Sequence, residues 1–191
     1  MKKELDQSSP TRASRRVHIR PPVPGDGAAF LEAVRRSRSL HRHWILPKPT
    51  TADAFMTYIN RFSTGTHHGF FVVLCETNEI VGVINLNNVL LDAHQSASLG
   101  YYAFLPHAGQ GLMSEGLQLV IQHAFTKLKL HRLEANIQPE NLVSIALVRK
   151  CGFRREGLAR GSVKIRGRWR DHERWAILSS DLKKNRVYHV V

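Results

Sequence analysis

Glycines that stand directly before a helix are the first residues of this chain whose type and spacing could do chemistry. Residues 107–117 read HAGQGLMSEGL, and apolar residues recur at helical spacing after them. Residues 98–104 are short, apolar and aromatic, which is typical of a buried strand. A strand, a glycine turn and a helix N-terminus direct free backbone N–H groups and the positive end of the helix dipole at an anion. The sequence predicts either a phosphate site or a tight packing turn here.

A second segment, residues 141–153, reads NLVSIALVRKCGF and favours the phosphate interpretation. Together with the glycine turn, it resembles motifs of the GNAT superfamily of acyl-CoA-dependent N-acyltransferases. Further matching motifs lie at residues 99–101, 131–132, 156–157 and 167–172. With these included, the chain most resembles the RimJ/RimL branch, which acetylates the N-termini of ribosomal proteins. The resemblance spans roughly residues 15–182, and it rests on the motifs jointly because each one alone is weak.

This resemblance implies acetyl-CoA as co-substrate and a set of residues that bind it. The strand before the turn would pair its backbone with the pantetheine arm, and the turn would hold the pyrophosphate. The second helix would contribute its first turn, and Arg149 or Lys150 could either reach the 3′-phosphate or be a surface charge. The implied binding residues are Tyr101, Tyr102, Ala103, Gly109, Gln110, Gly111, Leu112, Met113, Ser114, Asn141, Ser144 and Arg149. Asn141 also has the residue type of a helix N-cap.

Acetyl transfer from a thioester to an amine needs proximity, removal of a proton from the amine and stabilisation of the departing thiolate. We expect Glu134, on the strand after the first helix, to be the general base, directly or through water. Val148 stands where many members of the family carry a proton-donating tyrosine. In the branch that the chain resembles, the serine at the position of Ser144 is the suggested donor, so the resemblance implies that Ser144 hydrogen-bonds the leaving sulfur. The chain also departs from the family pattern at Ala108, usually Arg or Gln, and at Met113, usually a small residue.

The acceptor pocket is implied by the resemblance at a loop and at the end of one strand. His43 and Trp44 lie in the loop that would roof the pocket, and Asn85 and Asn87 could hydrogen-bond a peptide N-terminus. The chain has eleven histidines, but His41, His43, His67 and His68 have no carboxylate or cysteine at ligand spacing. We therefore expect no metal.

Composition and charge limit the function classes. The chain has 191 residues, 42% of them hydrophobic, with a mean hydropathy of −0.27, as in a soluble globular domain. It has neither an apolar stretch of membrane-spanning length nor a signal-peptide core, so we expect a cytoplasmic protein in which Cys75 and Cys151 are reduced and buried. The net charge is +13, and residues 154–186 carry eleven Lys or Arg against four Asp or Glu. Such a field favours polyanions over cationic substrates, unless the pocket has its own carboxylates.

The elements that must position these residues form one domain, which we place at residues 15–184 between a disordered tail at 1–14 and a C-terminal tail at 185–191. Antiparallel strands come first, at 16–20, 69–75 and 80–86, with helices at 24–38 and from Thr51 to about residue 62. Strand, helix, strand, helix and a hairpin around residues 166–168 follow. This order predicts an α/β (α+β) fold with a mixed, mostly antiparallel sheet of about seven strands and helices on both faces.

The leading hypothesis is an acetyl-CoA-dependent N-acetyltransferase acting on the N-terminal α-amine of a ribosomal or similar basic protein. One alternative is the same chemistry on a small amine, such as an antibiotic or a metabolite. Another is a non-catalytic module that binds a ribosome or nucleic acid through the basic surface and retains coenzyme A only as a ligand. Turnover of acetyl-CoA distinguishes the first two from the third. The sequence leaves the acceptor and the oligomeric state open.

Overall fold

Strongly apolar segments alternate with helices along the chain, and in the computed structural model, which describes residues 15–44 and 49–182, they build one sheet. Its strands are β1 (Val17–Arg20), β2 (His68–Leu74), β3 (Ile80–Leu90), β4 (Ser96–Ala103), β5 (Arg132–Ile137), β6 (Arg154–Ile165) and β7 (Arg168–Leu178). The α-helices are α1 (Gly27–Arg36), α2 (Arg38–His41), α3 (Ala52–Asn60), α4 (Leu112–Thr126) and α5 (Leu142–Lys150). Short 3₁₀ turns cover Pro24–Asp26 and Arg61–Thr64.

The seven strands lie in the order β1-β2-β3-β4-β5-β7-β6. Every neighbouring pair is antiparallel except β4 and β5, which run parallel. The predicted mixed sheet of about seven strands is thus confirmed. Helix α4 connects the two parallel strands, as a crossover between parallel neighbours requires.

Helices cover both faces of the sheet, as predicted, and each face has its own core. On one face α1 and α3 pack through Phe30 and Phe55 against Phe71 and Phe104, all of them fully buried. On the other face α4 and α5 cover the rest of the sheet, and the apolar repeat of α4 contributes Leu117, Val120, Ile121 and Ala124. A Cβ at Gly116 would lie 2.5 Å from Val72, so glycine lets α4 approach the sheet closely.

The parallel pair separates at its carboxyl end, and this opening positions the site. Pairing of β4 with β5 extends over four positions and ends at Leu99 and Ala135. Beyond that point β4 stays paired with β3 as far as Ala103, while β5 stays paired with β7 as far as Ile137. The sheet therefore has a V-shaped opening between these two strands.

Several details differ from the sequence-based expectations. The first helix ends at Arg36, close to the expected residue 38. The backbone of the buried Ser37 then departs from helical angles, and its hydroxyl accepts from the Leu105 N–H at 2.9 Å. The final hairpin turns at Arg166 and Gly167 as predicted, but its strands, which the sequence predicts at 161–168 and 173–178, extend over Arg154–Ile165 and Arg168–Leu178. The ends of these strands are exposed and rich in Arg and Gly. Because glycine and charged residues at exposed positions have weak strand propensity, the sequence does not predict the full length of the strands. The two predicted tails, at 1–14 and 185–191, lie outside the described residues.

The two cysteines are free, but their environments differ from each other. Cys151 is buried, and burial raises the pKa of its thiol to about 11. Cys75 is exposed, contrary to expectation, because it follows the end of β2 at Leu74 and no longer lies within the sheet.

Candidate functional site

The glycine turn has the geometry of an anion cradle. Gly109 and Gly111 have φ angles of 83° and 79°, in the left-handed region that favours glycine. Gly111 occupies the N-cap position of α4, and a Cβ at Gly109 would meet no atom within 4 Å. Among the described residues, the backbone N–H groups of Gly111, Leu112 and Met113 have no hydrogen-bond acceptor. The turn therefore offers free donors at the positive end of a fifteen-residue helix.

A cavity of about 370 Å³ extends from this turn between α4, α5 and the segment after α2. Most of the predicted donor-binding residues line it: Tyr101, Tyr102, Ala103, Gly109, Gly111, Leu112, Met113, Ser114, Asn141 and Ser144. The residue set fits acetyl-CoA, because free N–H groups suit the pyrophosphate and the unpaired edge of β4 can hydrogen-bond a pantetheine arm. Lys150 lines the same cavity and supplies a cation.

Two predicted donor-binding residues lie outside that lining. The Gln110 side chain donates to the Pro106 carbonyl at 3.2 Å, so only its backbone belongs to the turn. Arg149 stacks on Trp175, with its guanidinium carbon 5.1 Å from the ring centroid. For the cation at the end of α5, the structure places Lys150 rather than Arg149 at the cavity.

Two departures from the family pattern have structural counterparts elsewhere in the chain. Arg16 donates to the Gln110 carbonyl at 3.1 Å and forms an ion pair with Glu115, so it brings a guanidinium to the turn next to Ala108. A Cβ at Gly82 would lie 2.5 Å from the Met113 sulfur, so Gly82 leaves the space that Met113 fills. The sequence analysis missed Arg16, because 94 residues separate it from Gln110.

Ser144 faces the cavity from the first turn of α5 and has two partners. Its N–H donates to Asn141 Oδ1 at 3.1 Å, which is the predicted N-cap, and its hydroxyl lies 2.6 Å from that of Tyr101. Burial raises the pKa of Tyr101 to about 12, so its phenol stays protonated. Val148 is fully buried in the core and offers no proton. A pair of hydroxyl groups from β4 and α5 thus stands at the opening of the sheet.

A second cavity, of about 250 Å³, lies on the far side of these hydroxyls, and we call it the acceptor groove. Trp44, Tyr101, Asn141 and Ser144 line both the first cavity and this one, so the two meet at the hydroxyl pair. The other lining residues are Leu99, Gly100, Ala135, Asn136, Ile137, Gln138, Val163, Ile165 and His172. A donor and an acceptor in the two cavities would meet at Ser144 and Tyr101.

Glu134, the expected base, lies outside both linings. Glu134 lies on β5, opposite Ser98 of β4, and Arg132 Nε donates to its carboxylate at 2.7 Å. Arg132 also holds Glu156 on β6. Asn136, two residues further along β5 and on the same face of the strand as Glu134, lines the acceptor groove together with its neighbours Ala135 and Ile137. The assignment of Glu134 as base stays a prediction.

The residues expected at the acceptor pocket fall into two places. Trp44 stands at the junction of the two cavities, and His43 lies next to it, beside the tip of the final hairpin. Asn85 accepts from the Tyr58 hydroxyl and Asn87 from Arg61, each at 2.8 Å. These amide oxygens are engaged by side chains of α3 and of the 3₁₀ turn after it, and neither the buried Asn85 nor the partly buried Asn87 lines either cavity.

The structure adds one buried pair that the sequence analysis did not select. His41 is 7% exposed, packs edge-on against Tyr102 with ring centroids 5.6 Å apart, and lines the first cavity with it. Burial lowers the pKa of His41, an effect opposed by the nearby backbone of Ala103. Within the described residues, however, no partner lies within hydrogen-bonding distance and angle of either ring nitrogen of His41 or of the Tyr102 hydroxyl. Both side chains therefore offer free polar atoms next to the first cavity, which we call the donor cavity.

These features suit a transferase whose donor carries phosphate groups and an extended arm, and comparison with known families identifies the class. The model of the acetyltransferase (GNAT) domain matches residues 16–154. The chain therefore belongs to the GNAT acetyltransferases, which use acetyl-CoA. Among residues 15–44 and 49–182, no cluster of three or more His, Cys, Asp or Glu side chains could hold a metal ion.

Similar proteins include enzymes with different acceptors. The chain is 39% identical over 124 residues to the probable N-acetyltransferase YjcK of Bacillus subtilis, covering 65% of this chain and 68% of that one. It is 34% identical over 134 residues to the [ribosomal protein uS5]-alanine N-acetyltransferase of Escherichia coli, covering 70% and 69%. The spermidine N(1)-acetyltransferase of Vibrio cholerae is 24% identical over 151 residues, covering 79% and 87%. Mycobacterium smegmatis RimJ, solved with CoA-disulfide, superposes with a TM-score of 0.76 at 29% identity, covering 87% and 83%.

Proposed function

We propose that this GNAT N-acetyltransferase acts on the N-terminal α-amine of a protein, and that a ribosomal protein is its acceptor. The observation that carries the proposal is the chemistry of the acceptor groove. Among the described residues that line it, none is Asp or Glu. A polyamine acceptor would need carboxylates there, since the net charge of +13 already repels it. The similarity to the uS5-alanine enzyme supports the same choice.

In this proposal the chain's residues act mainly by positioning. Acetyl-CoA supplies the activated thioester. The N–H groups of the glycine turn hold the pyrophosphate, the edge of β4 orients the arm, and Ser144, polarised by Tyr101, hydrogen-bonds the leaving sulfur. Asn136 and Gln138 offer amide groups to the backbone of the incoming N-terminus. Glu134 takes the proton of the amine through water, since its carboxylate lies outside the groove.

We also propose that the basic surface of residues 154–186 associates with the ribosome and has affinity for RNA. A ribosomal acceptor would place the enzyme in the cytoplasm. Within the described parts of the chain, none of the helices has the length and apolar character to cross a bilayer.

The proposal is tested by intact-mass spectrometry of ribosomal proteins from cells with and without this chain. We expect one N-terminus to lose the mass of one acetyl group when the chain is absent. Purified enzyme should then acetylate a peptide with that N-terminus, at far higher kcat/KM than spermidine. Turnover of spermidine with no peptide acetylation would contradict the proposal.

A further inference from the structure

The acceptor groove continues into a third cavity that is strongly basic. This cavity, of about 310 Å³, is lined by Arg166, Arg168 and Arg170 together with His43, Gln138 and Ile165. Gln138 and Ile165 also line the acceptor groove, so the two spaces adjoin. A molecule whose amine lies at Ser144 could therefore extend past these two residues to the arginines.

The pairing of β6 with β7 explains why one face of the hairpin lines the acceptor groove and the basic cavity. Arg168 is opposite Ile165, and Arg170 is opposite Val163. Partners in register share a face of the sheet, so two apolar and two cationic side chains point the same way. All four line the groove or the basic cavity, whereas the intervening Trp169 lines neither. The hairpin thus presents an apolar wall followed by positive charge.

Within residues 15–44 and 49–182, the three guanidinium groups have no counter-ion of their own. Among the described residues, Arg166, Arg168 and Arg170 form no ion pair and donate no side-chain hydrogen bond. The nearest acids along the hairpin are engaged, because Asp171 accepts from the Gly161 N–H and Glu173 accepts from Arg155 and Trp175. Like charges gathered around one cavity repel each other, and an anion placed among them relieves that repulsion.

We propose that this basic cavity is an anion subsite of the acceptor groove, and that the preferred acceptor carries an Asp or Glu side chain within the first few residues after its N-terminus. The inference rests on the proposed function. The guanidinium group suits a carboxylate because its planar N–H groups can bind both oxygens at once. The residue between the amine and the acid would lie against Val163 and Ile165.

An RNA partner would use the same charges in a different way. Binding to RNA without sequence preference combines a basic track with aromatic side chains on which bases stack. Trp169, which is 65% exposed, is the aromatic residue of the hairpin tip, and it lies on the face opposite Arg168 and Arg170. The concave shape and the connection to the groove favour an acceptor side chain.

The test measures kcat/KM for matched peptides that share one N-terminal residue and carry Glu or Gln at each following position in turn. Wild-type enzyme should prefer Glu at one position by about tenfold, since several partly exposed charge-assisted bonds act together. The double variant Arg168→Gln/Arg170→Gln should lose that preference while it still acetylates the Gln peptide. Arg160→Gln is the matched control, because Arg160 is an exposed arginine of the same hairpin that lines none of these cavities.

Charge reversal gives a readout that a structural role would not produce. Arg168→Glu should shift the preference at the same position from Glu towards Lys. Equal rates for Glu and Gln peptides with wild-type enzyme would overturn the subsite and leave the proposed function intact. Failure to acetylate any peptide, with turnover of a small amine, would instead overturn the proposed function. Arginine variants that weaken RNA binding but keep the Glu preference would assign the cluster to RNA and overturn the subsite.

Discussion

The hydroxyl groups of Tyr101 and Ser144 lie 2.6 Å apart and join β4 to the first turn of α5. They come from elements on either side of the point where the donor cavity and the acceptor groove meet. The high pKa of Tyr101 keeps its phenol as a hydrogen-bond donor, so it can hold the Ser144 oxygen while the serine proton points to the leaving sulfur. This arrangement supplies a polar group at a site where Val148 supplies none.

We predict that Ser144→Ala lowers kcat by about 2- to 13-fold, the worth of one neutral hydrogen bond of ~0.5–1.5 kcal/mol. The loss should exceed any rise in KM, because the bond strengthens as charge develops on sulfur. Tyr101→Phe should lower kcat less, and the double variant should be no slower than Ser144→Ala, since the phenol acts through the serine. Additive losses in steady-state assays would show that the two hydroxyls act independently.

A side chain at the glycine turn should block the donor. Gly111→Val should weaken acetyl-CoA binding by at least ~1–3 kcal/mol, because the pyrophosphate loses its contact with free N–H groups. Gly167→Val is the control, since Gly167 has the same φ of 79° but lies in the hairpin turn. Calorimetry should show normal acetyl-CoA affinity for the control. Equal affinity for both variants would contradict the assignment of the turn.

Arg16 should contribute to donor binding through its pair with Glu115. Arg16→Gln removes a cation and leaves the Glu115 carboxylate uncompensated near the pyrophosphate. We expect acetyl-CoA affinity to fall about two- to fivefold, a modest change because the Arg16 side chain is 53% exposed. The double variant Arg16→Gln/Glu115→Gln should recover part of the loss, as measured by calorimetry at low and high salt. No loss in the single variant would restrict Arg16 to a structural role.

Glu134→Gln tests the base. If Glu134 removes the proton of the amine, turnover should fall by roughly 10²–10⁴-fold with acetyl-CoA affinity nearly unchanged. Glu156→Gln is the matched control, because Glu156 shares Arg132 but lies on β6. Full kcat for Glu134→Gln across the neutral and mildly alkaline range would remove Glu134 from the mechanism.

The buried His41 should make the fold sensitive to acid. Burial lowers its pKa in the folded state, so the unfolded chain takes up the proton first, near the ordinary value of about 6.5. Its stability contribution is therefore complete above that pH and is lost as the pH falls through the lowered folded value. His68 and His123 are shifted in the same direction, and His107 and Lys150 line the same cavity as His41.

His41→Gln should therefore flatten the decline of the melting temperature below neutral pH, whereas the exposed His43→Gln should leave it unchanged. Thermal melts at several pH values, followed by circular dichroism, measure the difference. Parallel curves for His41→Gln and wild type would show that His41 does not titrate on unfolding.

The sequence was sufficient for features encoded by local patterns. The apolar repeat after Gly111 predicts α4, and the residue types of Thr51 and Asn141 predict the caps, which accept at 3.3 and 3.1 Å from the N–H groups of Ala54 and Ser144. It was insufficient where distant segments meet. Neither the approach of Arg16 to the turn, across 94 residues, nor the pairing of Arg132 with Glu156, across 24 residues, leaves a local signal.

The V-shaped opening also divides the sheet into two antiparallel blocks, β1–β4 and β5–β7, whose strands are joined at only four parallel positions. This seam, the pairing of β4 with β5, is the shortest strand pairing at the centre of the sheet. Parallel pairing is also slightly less stable per residue than antiparallel pairing. A pantetheine arm lying along β4 would lengthen the seam, so donor binding should hold the two blocks together mechanically. Amide hydrogen exchange near the end of this seam would then slow when donor is added, which links the rigidity of the enzyme to the supply of its substrate.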